Sequence, residues 1–334
     1  MSSILAKKSF HILLGWVVSV VLLYWVFSQL EWGVLVSELK NMNLVVLIPL
    51  TLIFVLHLFL RAYRWRFLLP DGDKVSIRVL FDSLMIGNFA TFVLPLRAGE
   101  FIRPLMLIKE SKHSYATAFS SVVIERFFDL SVVLILFAFM TFYVPGLPEW
   151  ATQGAYALTL LASGILVFVI LGILLPKTLL RVSGFFLKPI PEKIRQKILD
   201  LIENFLAGAK VLHNLKNLSM TVLLSGLVWL TCYFQFQIGI SLFEIEPSYW
   251  LGLSIVVVLA LAVAAPSAPG FIGVFQTACI AAMAIFGIPK EQALAYSLVM
   301  HAHQYLIICL YGIYALSRKH LTLAKLQKEP VPQA

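Results

Sequence analysis

Asn88, Arg97, Glu100, Arg103, Glu125, Arg126 and Asp129 stand close together in an otherwise apolar part of the chain. A charge at membrane depth is costly unless paired or wet, so ionisable residues in such surroundings are candidates for function. Arg97, Glu100 and Arg103 recur at i, i+3 and i+6, which on a helix puts them on one side. Two guanidiniums beside a chain break at Pro95 and Gly99 suit a phosphate. Their planar forks bind its oxygens in pairs, and free N–H groups at a helix start add positive field. Glu100 would fix the arginines or carry a proton, and Asn88 would cap or bridge. Glu125 and Asp129 are i, i+4 with Arg126 between them. The same residues also suit a buried salt-bridge network that holds the broken segment in place, and spacing alone leaves both uses open.

The elements that must position these residues are membrane helices. The chain has 334 residues, 60% hydrophobic and 13% charged, which is far too apolar for an ordinary soluble domain. Its apolar runs are continuous, without the alternation of a β-barrel. The fold class expected is an all-α polytopic membrane protein with about six full transmembrane helices, near 10–30, 44–69, 115–143, 155–175, 218–243 and 291–316. Two segments broken by proline and glycine complete it: 82–110, with Pro95 and Gly99, and 248–287, with Pro266, Pro269, Gly270 and Gly273. Lys7 and Lys8 precede the first run, which reads as a retained span and not a cleaved leader.

Net charge is +9, and the basic residues gather in particular loops. By the positive-inside rule the termini, the linker with Lys74 and Arg78, the 177–216 segment and the 317–334 tail are cytoplasmic. The loops near Glu31, Pro145 and Glu244 are external. Each broken segment must then begin and end on one side. The 82–110 segment is too short to cross twice at about 20 residues per pass, so re-entrant hairpins are expected, the first entering from the cytoplasm and the second from outside. The order span, span, broken hairpin, span occurs twice, as 10–143 and 155–316 of one membrane domain (1–334), with the second copy inverted. Inverted repeats with broken helices are a transporter signature. Between them, 177–216 is an amphipathic cytoplasmic connector, either lying on the membrane surface or packed on the bundle.

Arg61, Arg64 and Arg66 close the second span and read as interfacial anchors, with Arg64 able to reach a headgroup. His301 and Gln304 share a face at i, i+3 in the last span and suit a polar lining; His301 and His303 do not share one, which argues against a metal. Cys232, Cys279 and Cys309 lie in apolar segments and read as packing thiols. No motif supports catalysis, so neither enzyme activity nor a cofactor is expected, and no basic module is long enough for nucleic acid.

The stretches NFATFVLPLRAGEFIRPLML, VVIERFFDL and APSAPGFIGVFQTACIAAMAIFGIPKEQALAYSLVMHAHQYL resemble the lysylphosphatidylglycerol synthase transmembrane, or flippase-like, family. The resemblance carries Asn88, Pro95, Arg97, Gly99, Glu100, Arg103, Glu125, Arg126, Asp129, Pro266, Pro269, Gly270, Gly273 and His301. Gln276 stands where that family often has glutamate. The resemblance implies a bacterial or archaeal cytoplasmic-membrane protein that moves an anionic phospholipid, glycolipid or polyprenyl-type lipid between leaflets, its phosphate held by the hairpin arginines. The soluble aminoacyl-transfer domain of the bifunctional relatives is not expected here. The alternative is an accessory subunit or membrane enzyme of envelope lipid synthesis, with a biosynthetic enzyme as partner.

Overall fold

The computed structural model describes residues 31–95, 97–143, 175–243, 245–246, 248–263 and 268–328, with Val21, Tyr24, Gln153, Leu160 and Gly164 placed singly. The spans expected at 10–30 and 155–175 fall almost wholly outside these residues, as do Pro145, Glu244 and Pro266. Among the described residues there is no strand. The helices are α1 (Trp32–Asn41), α2 (Leu47–Arg66), α3 (Ile77–Val93), α4 (Gly99–Ile108), α5 (Tyr115–Tyr143), α6 (Pro176–Phe186), α7 (Glu192–Ala209), α8 (Leu215–Ile240), α9 (Tyr249–Ala262), α10 (Val274–Ala284), α11 (Lys290–Arg318) and α12 (Leu323–Lys328).

Three stretches, Leu44–Arg66, Leu215–Ile240 and Lys290–Arg318, are long and apolar enough to cross a bilayer. They match the second, fifth and sixth expected spans. The third expected span is the 29-residue α5, about 43 Å long at the α-helical rise. Each of the three stretches turns large apolar side chains outward: Leu52, Leu223 and Leu306 are each more than half exposed, as lipid contact requires.

Both broken segments fold as helix, break, helix. Ser76 caps α3 by accepting from the Val79 N–H at 3.4 Å. α3 stops at Leu94, whose φ of −101° and ψ of 146° are extended, because the following Pro95 disfavours helical geometry there. Gly99 then allows α4 to turn back against α3: a Cβ on Gly99 would stand 1.8 Å from the Gly87 carbonyl oxygen. In the second hairpin, α9 gives way to Gly270 and Gly273 at φ 66° and 86°, a region open to glycine. α10 follows.

α2 and α8 pack antiparallel. The Asn43 N–H donates to the Leu242 carbonyl at 2.8 Å, and Arg64 donates to Ser225 Oγ at 2.9 Å, so the partner's number falls as α2 advances. Several other contacts recur in pairs: α3 lies on α11 and α9 on α5, while α1 lies on α11 and α7 on α5. One apolar core joins α8, α9, α10 and α11 around Phe236, Ile255, Cys279 and Tyr296. A second joins α2, α3 and α5 around Trp65, Leu84 and Val122, and takes in Ala209 and Leu212 from the connector. The end of α7 is therefore packed on the bundle, with Gly208 against Ser120, whereas α6 exposes Val182, Phe185 and Phe186.

Candidate functional site

Three elements bring their charges to one point. α5 supplies Glu125, which is fully buried and sits at the centre of four guanidiniums. Arg103 Nη2 from α4 is 2.7 Å from its Oε2. Arg61 and Arg64 from α2 each place Nη2 3.3 Å from Oε1, and Arg126 lies 3.0 Å from the same oxygen. Asp129, one turn on, takes Arg64 Nη1 at 2.7 Å and Arg126 Nη2 at 3.5 Å. The indole N–H of Trp229 reaches its Oδ1 at 3.4 Å. Arg103 also lies over the Trp65 ring, 3.9 Å from its centroid, and that ring is held by its N–H donating to Ser121 Oγ at 2.7 Å. A desolvated cation over tryptophan is a favourable contact, so Arg103 is fixed from two sides.

This network backs a cavity of about 290 Å³. Its polar wall is Arg61, Asn88, Arg97, Glu100, Arg103 and Arg126, and the aromatic side chains of Phe92, Trp229, Phe271 and Phe275 also line it. The two hairpin tips meet here. Arg97 holds a φ of 51°, sparsely populated for a non-glycine residue and found where the surroundings over-determine the backbone. Its guanidinium donates to the Val263 carbonyl at the end of α9 and lies 5.3 Å from the Phe271 ring centroid. Its Nη1 is 3.7 Å from Glu100. Arg97 is the hairpin cation with the most room, its side chain 36% exposed against 4% for Arg103.

The sequence candidates separate into two groups. Asn88, Arg97, Glu100, Arg103, Arg126 and Gln304 line the cavity. Arg64, Glu125 and Asp129 lie behind it. Arg64 is fully buried, which corrects its reading as an interfacial anchor with reach to a headgroup: carboxylates from α5 draw it inward. Arg61 is likewise drawn into the wall, whereas Arg66 ties the following loop through the Gly72 and Asp73 carbonyls at 3.2 and 2.6 Å. Arg97 and Arg103 do not act as a pair on Glu100, because Arg103 turns to Glu125. His301 is buried beside the cavity. It stacks on Phe275 at 4.3 Å and meets Gln276 Nε2 at 3.1 Å, while Gln276 Oε1 accepts the Gly273 N–H at 2.8 Å. Gln276 thus caps the second hairpin. His303 faces away to Thr51 Oγ1 at 2.9 Å.

Sequence reading missed Arg61, His57, Trp229 and Gln235 as lining residues. A signal existed: His57, Arg61 and Arg64 recur at i, i+4 and i+7, one face of α2. Pro95 and Gly99 stand at the first break, and Pro269, Gly270 and Gly273 at the second. A Cβ on Gly270 would stand 1.6 Å from the Tyr305 hydroxyl. Among the described residues no group of three or more His, Cys, Asp and Glu is placed to hold a metal.

Comparison with known proteins adds two findings. The family described as lysylphosphatidylglycerol synthase TM region matches residues 12–312. The UPF0104 membrane protein MJ1595 of Methanocaldococcus jannaschii is 24% identical over 299 residues, covering 84% of this chain and 87% of that one. No solved structure matches.

Proposed function

Because this chain belongs to the lysylphosphatidylglycerol synthase TM-region family, a family of multi-pass membrane proteins, we propose that it is a lipid translocator of the flippase type. In this reading it moves an anionic lipid between leaflets without catalysing a reaction. The lipid phosphate sits on the polar wall against Arg97, Arg103, Arg61 and Arg126, while its chains remain in the bilayer. The observation that carries the reading is the cavity between the hairpin tips, with four arginines on its wall and a single carboxylate, Glu100, among them.

The packing supports an internal two-fold relation. If α1–α5 and α7–α11 are equivalent halves, the helix contacts within the first half have counterparts within the second, and the antiparallel pair α2 and α8 straddles the axis. Antiparallel equivalents mean inverted halves, the arrangement in which rocking of one half against the other alternates access to a central site. On this reading the hairpins are re-entrant, the termini and connector face the cytoplasm, and the host membrane is the cytoplasmic membrane of a bacterium or archaeon.

Purified protein in vesicles should move a headgroup-labelled anionic lipid from one leaflet to the other, scored by quenching of outer-leaflet label. Arg97→Ala should abolish movement at equal incorporation. Undiminished movement in that variant would remove the phosphate from this wall.

A further inference from the structure

The charge around the cavity does not balance. Arg61, Arg64, Arg103 and Arg126 gather on Glu125 and Asp129, and Arg97 pairs with Glu100 beside them, so among the described residues five guanidiniums meet three carboxylates. Two positive charges are left unmatched. Outside the described residues, 12–30, 150–174 and 264–267 contain no charged residue, and the acidic residues are Glu149, Glu244 and Glu329. His57, also on the wall, would only add to the excess if protonated. An uncompensated pair of charges in so apolar a setting is expensive. The cluster also holds spare donors: Nε of Arg103 and Nε of Arg126 are buried with no acceptor in reach, although Arg103 is only 3% exposed and lines the cavity.

We propose that the site selects a headgroup carrying a phosphoryl group with two negative charges, a phosphomonoester or diphosphate lipid, over a singly charged phosphodiester. The inference rests on the reading of the cavity as a lipid-phosphate seat and narrows its ligand. The dianion neutralises the two unmatched charges, which a monoanion does only in half. A lysyl-esterified headgroup, the one in the family's description, brings ammonium groups toward four arginines and is disfavoured.

The test measures binding, apart from movement between leaflets. The full-length protein in detergent is titrated with short-chain phosphatidic acid, phosphatidylmethanol, lysylphosphatidylglycerol and inorganic phosphate. Phosphatidylmethanol keeps the shape of phosphatidic acid but holds one charge. Phosphatidic acid should bind at least about tenfold more tightly than phosphatidylmethanol, since a unit charge at close range in a partly dry site carries at least that factor. Lysylphosphatidylglycerol should bind more weakly still. Arg61→Gln removes one unmatched charge and should bring the two lipids to near-equal affinity; Glu100→Gln adds one and should widen the gap, so a failure of Arg61→Gln to fold leaves an independent measure. Equal binding of phosphatidic acid and phosphatidylmethanol, or tighter binding of lysylphosphatidylglycerol, overturns the proposal. Inorganic phosphate binding as tightly as phosphatidic acid overturns the lipid as its source. A protein that selects the dianion yet moves no lipid keeps this inference and loses the transporter reading. One that moves lipid with no preference for charge does the reverse.

Discussion

Gly99 rests on Gly87 with no room for a methyl group: a Cβ on Gly99 would lie 1.8 Å from the Gly87 carbonyl oxygen and 2.3 Å from Thr91 Oγ1, while one on Gly87 would meet Arg103 Cβ at 2.7 Å. The closeness of α3 and α4 sets where Arg97 and Arg103 stand. Gly99→Ala should therefore destabilise the protein by about 1–3 kcal/mol, the range for overpacking, and abolish binding of an anionic lipid. Gly226→Ala, on the open face of α8 with nothing within 4 Å, should not destabilise the protein, since alanine favours a helix interior over glycine, and should leave binding unchanged. Thermal unfolding in detergent, run with both variants, checks this.

Glu125 is the hub, and its removal leaves Arg61 and Arg103 without a carboxylate and four arginines sharing Asp129 alone. Glu125→Gln should cost about 3–5 kcal/mol, the usual result of breaking one side of a buried ionic network. Glu100→Gln should cost well under about 1 kcal/mol, since the Glu100 pair with Arg97 is partly exposed and 3.7 Å long, and such pairs contribute little. Equal effects of the two changes would mean that the charges around Glu125 are hydrated and not part of a dry core.

A second ionic knot ties the two ends of the chain's long path together. Asp82 on α3 accepts from Tyr311 at 2.9 Å and from Arg318. Lys319 reaches Asp82 at 3.3 Å and also contacts Glu110, just beyond the end of α4. Asp82→Asn should free the end of α11, so that trypsin cuts after Arg318 and Lys319 several-fold faster, with cleavage elsewhere unchanged. Asp71→Asn, which breaks only the exposed pair with Lys74, should leave the digestion pattern as it is. Mass spectrometry of timed digests reads both.

Much of this arrangement was legible from residue type and order. Pro95, Gly99, Pro269, Gly270 and Gly273 marked the two breaks because each has a local steric consequence that needs no partner. Arg97, Glu100 and Arg103 stood out because the residues around them are apolar. Arg61 and Arg64 were placed wrongly for a physical reason: arginines at the end of an apolar run are ordinarily interfacial. What pulls them inward is Glu125, 64 residues beyond Arg61. The Asp82 and Arg318 pair, 236 residues apart, left no local trace at all. Asymmetry between the hairpins was visible in composition, but its meaning was not: the second tip contributes a backbone acceptor at Val263 and an aromatic face at Phe271, neither of which a polar-residue search detects.

That contact between the tips gives the last prediction. Arg97 joins the hairpins by donating to the Val263 carbonyl, and a phosphate that draws the guanidinium away must release that carbonyl. Loss of the guanidinium should then loosen the tips even without ligand. Cys232 is a native reporter, half-buried on the cavity wall, whereas Cys279 is wholly buried in the core of the second half. Arg97→Gln should raise the rate of maleimide labelling at Cys232 several-fold and leave Cys279 unlabelled, read residue by residue in digests. Labelling of both cysteines would indicate general unfolding, and an unchanged Cys232 rate would show that the tips are held by Phe92 and Phe271, whose rings lie edge to face at 6.4 Å, and not by Arg97.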